Sequence, residues 1–202
     1  MFEPILSNIH YEMRQYSFLN EITIKIIGID TQNILYENYK LTDCMHMFNG
    51  LLNIIEIDLT NFDLSEVTAM NLMFKNCNNL EYIKFNNTKN ELIVTDLSSM
   101  FEHCISLKIL DLSNFDSSKV SIMMNTFSNC WSLTSLDLSS FDTSKALMMN
   151  LMFYNCSSLT SLNLLNFKTS KVYSFLGMFS QCSNLISLDL SNFDTSSAAS
   201  IS

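Results

Sequence analysis

The chain has 202 residues, 48% of them hydrophobic, and a formal net charge of −9. That acidic balance excludes a counterion-displacing nucleic-acid surface, and the apolar content with fifteen Phe excludes intrinsic disorder. No run of 18 apolar residues is present to span a membrane, and Met1-Phe2-Glu3-Pro4 lacks the basic and apolar regions of a secretory signal.

Residues 1–40 do not repeat. Within them Ile22, Ile24 and Ile26 alternate with Thr23 and Lys25, which predicts a strand. Paired with the first repeat strand, it would serve as an N-terminal cap. From residue 41 to 202 the chain is six registered copies of one unit. Phe48, Phe74, Phe101, Phe127, Phe153 and Phe179 are spaced 26, 27, 26, 26 and 26. Met precedes each except Phe127, which follows Thr126. Three residues after Phe stand Leu51, Cys77, Cys104, Cys130, Cys156 and Cys182; six after it stand Ile54, Leu80, Leu107, Leu133, Leu159 and Leu185.

Each unit then reads L-x-x-L-x-L-x-x-F, as in Leu133, Leu136, Leu138 and Phe141. Leu136 and Leu138 alternate with Ser135, Asp137 and Ser139, so a short strand with one inward face is predicted. Six such strands, near 56–59, 82–85, 109–112, 135–138, 161–164 and 187–190, would form one curved parallel sheet. Phe-Asp-Thr/Ser-Ser follows, as in Phe115-Asp116-Ser117-Ser118 and Phe141-Asp142-Thr143-Ser144, and suits a turn entering a helix N-cap. Val120, Met123, Phe127 and Cys130 are spaced 3, 4 and 3, which predicts one or two turns of α- or 3₁₀-helix on the return path. Asn76, Asn129 and Asn155, with Gly50 in the first copy, would end these helices in the left-handed region. Three Gly suffice because Asn does this turning. The third unit is irregular: Thr88 replaces the Phe and the Asn90-Glu91 stretch adds a residue, so a bulge is expected near 86–95. At the far end Ser202 precedes the next expected Met-Phe with no polar cap, which reads as a fragment or truncated product.

L-x-x-L-x-L is the strand signature of leucine-rich repeats. The longer unit, running from Met152-Phe153-Tyr154-Asn155-Cys156 through Leu159, Leu162 and Leu164 to Lys171-Val172, resembles the BspA-like leucine-rich repeats of bacterial and protist surface proteins. The resemblance covers about residues 41–202. It implies an α/β repeat solenoid, right-handed, with a parallel concave β-sheet and short convex helices. It further implies surface display, adhesion and protein binding, and supplies no catalytic motif. The chain departs from the usual repeat in placing Phe62, Phe115, Phe141, Phe167 and Phe193 where Asn or Cys is customary.

Variation on a regular scaffold is where a repeat protein would hold specificity. The candidate protein-binding face is therefore the outward sheet positions: Glu56, Tyr82, Ile109, Ser135, Ser161 and Ser187 in one column, and Asp58, Lys84, Asp111, Asp137, Asn163 and Asp189 in the next. Asp63, Asp116, Asp142 and Asp194 form a further acidic column at the turn, interrupted by Lys168. Such columns read as a solvated face, a site for a basic protein partner, or weak Ca²⁺ binding by carboxylates. Trp131 is expected to be partly exposed, as an anchor or a surface aromatic.

The cysteines at 77, 104, 130, 156 and 182 fall in one inward ladder, with Cys44 in the column of Met70 and Met123; buried free thiols are expected. No C-x-x-C or Cys/His cluster suggests zinc, and the Met columns read as core. His10, His46 and His103 share no repeat position, so no catalytic, cofactor or metal site is assigned. Asn86-Asn87-Thr88 and Asn155-Cys156-Ser157 are glycosylation acceptors only in an exported chain. The expected function is a non-enzymatic protein-binding module, acting in surface adhesion or as an intracellular scaffold. The expected partner is a protein rather than nucleic acid, met by a monomer or by part of a longer repeat protein. Location is surface or extracellular by resemblance, and cytoplasmic if the chain is complete as written.

Overall fold

The structure is a computed structural model that describes residues 22–25, 42–59, 64–85 and 92–201. Among these, six strands run in order: β1 (Ile22–Lys25), β2 (Ile54–Asp58), β3 (Tyr82–Lys84), β4 (Ile109–Leu110), β5 (Ser135–Asp137) and β6 (Ser161–Asn163). All pairings are parallel. β1-β2-β3-β4 form one sheet and β5-β6 another. Register advances by one repeat per strand, Glu56 beside Tyr82, Tyr82 beside Ile109, and Ser135 beside Ser161.

Two expectations about the sheet are corrected. The sheet ladder lapses between β4 and β5, although the coils stay stacked, with Ser132 N–H donating to Ile105 O at 3.1 Å. Residues 187–190 take no strand pairing. That stretch has β6 on one side and no described coil on the other, and Leu190 is 39% exposed where Leu138 is fully buried.

The predicted return helices are absent among the described residues. Each return arm is instead a ribbon of overlapping β-turns. In the first unit Met47 N–H donates to Cys44 O, Asn49 N–H to His46 O and Leu51 N–H to Phe48 O. Two left-handed residues per coil block helix propagation. One column, two before the Phe, is His46, Leu72, Ser99, Asn125, Leu151 and Gly177; the other, two after it, is Gly50, Asn76, His103, Asn129, Asn155 and Gln181. Positive φ at the third residue of a four-residue turn is the type II signature. The alternate N–H groups that a helix would turn onto i−4 carbonyls point to the next coil. Phe48, Phe74, Phe101, Phe127 and Phe153 donate to Met73, Met100, Thr126, Met152 and Met178 carbonyls at 2.9 Å throughout. A second parallel ladder of single bridges, Asp43-Ala69-Asp96-Ile122-Met148-Ser174-Ser200, runs the length of the stack.

Sheet and return arm enclose one core. Phe48, Phe74, Phe101, Phe127, Phe153 and Phe179 stack with centroids 5.2 to 5.7 Å apart and planes within 6°. Offset parallel rings at this separation are a favourable aromatic geometry. A second Phe column stacks Phe115 on Phe141 and Phe167 on Phe193; Phe62 lies outside the described residues. Thr88, which breaks that column in sequence, also lies outside them, as do residues 86–91 of the expected bulge. The ring is supplied from three residues earlier: Phe85, at a position otherwise held by Leu, sits edge-on to Phe74, Phe101 and Phe115. The chain is thus a parallel-stranded leucine-rich-repeat solenoid whose coils are joined by turns.

Candidate functional site

The sheet positions come together as one outward face. Ser135, Asp137, Ser161, Asn163, Ser187 and Asp189 are exposed, as are Lys84 and Asp111, while Glu56 and Asp58 are half-buried. Tyr82 is 37% exposed and Ile109 63%, and they neighbour each other across β3 and β4. The N-terminal half of this face also carries cross-coil ion pairs. Lys84 Nζ lies 2.6 Å from Glu56 Oε1, and Lys108 Nζ lies 2.7 Å from Glu81 Oε2. Lys84 therefore does more than interrupt an acidic column: it reaches back to neutralise Glu56 of the preceding coil. Such exposed pairs add little stability. Their effect is to fix two rows of charge around an apolar pair. The C-terminal half is small and polar.

The acidic columns are built into the turns. Asp111, Asp137 and Asp189 each accept the backbone N–H two residues on, from Ser113, Ser139 and Ser191, at 2.9 Å. Asn163 does the same for Leu165 at 3.2 Å. In the turn column Asp116, Asp142 and Asp194 cap Ser118, Ser144 and Ser196. These are Asx-turns, so a column of Asp needs no ligand to account for it. No helix follows them, contrary to the expected N-cap. The backbone hydrogen bond from Ser113 holds the Asp111 carboxyl below its ordinary range, as that from Ser139 does for Asp137. For Asp142 the Ser144 N–H leads, and Lys168 and Lys145 assist. One oxygen of each of these carboxylates is already engaged.

All six thiols are free, and all but half-buried Cys182 are buried. Each ladder Sγ donates to the Phe carbonyl of the preceding coil, from Cys77 to Phe48 O at 2.9 Å through Cys182 to Phe153 O at 3.0 Å. Burial pushes the Cys44, Cys77 and Cys156 thiols up to about 12 and those of Cys104 and Cys130 well above the usual value. A thiol so held is a poor nucleophile and a poor metal ligand. His46 and His103 occupy left-handed turn positions; His46 Nδ1 lies 2.7 Å from Asn49 Nδ2, and His103 Nε2 lies 3.9 Å from Glu102. Trp131 is 44% exposed. Asn155, a formal sequon residue, donates its amide to Asn129 Oδ1 at 2.8 Å, while Asn86 lies outside the described residues.

Sequence reasoning missed a hydroxyl ladder. Ser117, Thr143 and Thr169 are buried, and each hydroxyl both donates to a carbonyl and accepts an N–H from the next coil, at Asp142, Lys168 and Asp194. The available signal was the restriction of that position to Ser or Thr in successive copies.

The family described as "Mycoplasma protein of unknown function, DUF285" matches residues 42–161 and again 123–202. No curated protein sequence matches the chain. Among solved structures, a leucine-rich repeat protein of T. pallidum is 21% identical over 74% of this chain and 73% of that one, with a TM-score of 0.46. One from Bacteroides ovatus is 17% identical over 76% of this chain and 47% of that one, with a TM-score of 0.32.

Proposed function

The chain belongs to the DUF285 family, Mycoplasma proteins of unknown function, and from that premise we propose that it is a non-enzymatic protein-binding module whose ligand lies on the outward sheet face. One observation carries this reading. The backbone groups of β2 to β4 and of the return arms are paired with neighbouring coils, so side-chain variation at these sheet positions is what one coil offers a partner that the next does not. The exposed Tyr82 and Ile109, bounded by the Glu56–Lys84 and Glu81–Lys108 pairs, supply an apolar centre with a charged rim. That is the anatomy of a protein interface. A photo-reactive residue placed at Ile109 in the source cells identifies the partner. Tyr82→Ala and Ile109→Ala are then expected to weaken its affinity about tenfold each, as removal of interface anchors does. Unchanged affinity in both variants sinks the sheet-face reading.

Surface adhesion is the setting the repeat resemblance favours. Labelling of intact cells with a membrane-impermeant reagent tests it: modification supports adhesion, and protection until lysis contradicts it. The six free thiols favour the second reading, an intracellular interaction scaffold, since thiols persist where the compartment is reducing.

A further inference from the structure

The return ladder carries a second surface, separate from the sheet face. In three successive coils the outward residue after the hydroxyl turn is Lys119, Lys145 and Lys171, each exposed. The next residue points inward (Val120, Ala146 and Val172 are fully buried), and the one after points out again. There the first three coils carry Thr68, Thr95 and Ser121, and the next two carry Leu147, 40% exposed, and Tyr173, 43% exposed. Leu147 and Tyr173 sit on adjacent coils, with Tyr173 N–H donating to Leu147 O at 3.0 Å. A row of three lysines therefore runs beside an exposed apolar pair along the stack, on a chain whose net charge is −9. No ion pair among the described residues engages the three lysines. Asp116 and Asp142 stand three residues upstream of Lys119 and Lys145, with one carboxylate oxygen of each committed to its Asx-turn; beside Lys171 that position is Lys168.

The spacing of the rows selects the partner. Ring centroids of successive coils lie 5.2 to 5.7 Å apart in the Phe stack, and the hydrogen-bonded backbones of the return ladder about 4.8 Å apart, nearer a helical turn than two residues of a strand. An α-helix rises about 5.4 Å per turn, whereas alternate residues of an extended strand are about 6.6 Å apart. From this match and the charge complementarity we infer that the return face of residues 119–173 docks an acidic amphipathic helix of a partner protein. It lies along the stacking axis, one carboxylate per turn opposite the lysine row and one apolar side chain per turn against Leu147 and Tyr173. Backbone pairing plays no part, because the ladder's amides are engaged between coils.

The test uses the full chain and a labelled Ala-based helical peptide with Glu and Leu in adjacent i, i+4 stripes, read by fluorescence anisotropy. Saturable binding at low ionic strength is expected. It should weaken at least about tenfold in Lys119→Glu/Lys145→Glu/Lys171→Glu and in Leu147→Ser/Tyr173→Ser, and stay unchanged in Tyr82→Ala, which alters only the sheet face. Absence of saturation overturns the proposal. So does equal binding of a peptide with Lys in place of Glu, or tighter binding of an extended Glu-Leu alternating peptide. If the triple variant fails to fold, a salt series on the unaltered chain decides: affinity must fall as ionic strength rises, and salt-independent binding overturns the proposal.

Discussion

Replacing Thr143 with Val removes one hydroxyl and little volume. In the native coil that hydroxyl accepts Lys168 N–H at 2.7 Å and donates to Lys168 O at 3.0 Å, and Thr143 is fully inaccessible. Val fills the space but leaves the part-buried N–H and carbonyl of Lys168 without this partner. A stranded buried polar group costs about 1–3 kcal/mol, and the added methyl burial returns up to about 1 kcal/mol. With both groups only part-buried the low end applies to each, and the net expectation is a loss of about 1–2 kcal/mol. For a chain of this size that is a fall of roughly 2–8 °C in Tm. Denaturant unfolding followed by circular dichroism measures it. Thr160→Val is the control, since Thr160 also donates to the neighbouring coil, at Thr134 O, but is exposed to water. It should cost about 0.5 kcal/mol or less. If Thr143→Val lies within about 0.5 kcal/mol of the unaltered chain, the hydroxyl ladder does not hold the coils and the reasoning fails.

The thiols predict alkaline sensitivity. Their folded values lie above the ordinary 9.0, with Cys44, Cys77 and Cys156 at about 12. The folded state thus keeps protons that the unfolded state gives up, and stability should fall as pH rises from about 9 toward 12, by about 1.4 kcal/mol per pH unit for each such thiol. Denaturation midpoints that do not change between pH 8 and about 10.5 contradict this. Half-buried Cys182 should react with a thiol reagent before the five buried cysteines do, as mass spectrometry of the labelled chain can show. Asp142→Asn should leave stability within about 0.5 kcal/mol of the parent and Asp142→Ala cost about 1 kcal/mol, since Asn retains the acceptor for Ser144 N–H. Equal effects in thermal melts would assign the column to charge rather than to turn geometry. Asn129→Ala, at φ 61°, should cost about 1 kcal/mol, and Asn129→Gly less. The opposite order in denaturant melts removes the left-handed column from the account.

The repeat, five of the six repeat-strand positions, the inward cysteine ladder and the exposure of Tyr82 and Ile109 were legible because each depends on which residues alternate or recur. The return arm was not. Cys44, Met47, Phe48 and Leu51 point inward at i, i+3, i+4 and i+7, a pattern that a helix and a ribbon of four-residue turns share. What separates the two is a left-handed residue at every fourth place. Asn and Gly announced it after the Phe, but Leu72, Ser99 and Leu151 before the Phe concealed it. Non-glycine residues are held there because alternate amides bond to the next coil, a tertiary effect that local propensity cannot display. Phe85 and Thr88 were hidden differently. The exchange of Leu for Phe at one position and Phe for Thr three residues later reads as two defects, and the packing of Phe85 on Phe115 reveals one compensation. On the site, sequence placed both acidic columns outward and gave the turn column its backbone bond, but not the bond of Asp111, Asp137 and Asp189, since an Asx-turn and a free carboxylate share the same letter.

Amide hydrogen exchange in the return arms tests the coil-to-coil bonding most directly. Phe74, Phe101, Phe127 and Phe153 N–H each donate to the following coil, whereas Phe179 N–H has no partner among the described residues. The account predicts strong protection at the first four and at Asn76, His103, Asn129 and Asn155, and fast exchange at Phe179. Protection of Phe179 equal to that of Phe127, as a run of i→i−4 helical bonds would give, or exchange at Phe127 as fast as at Phe179, would contradict it.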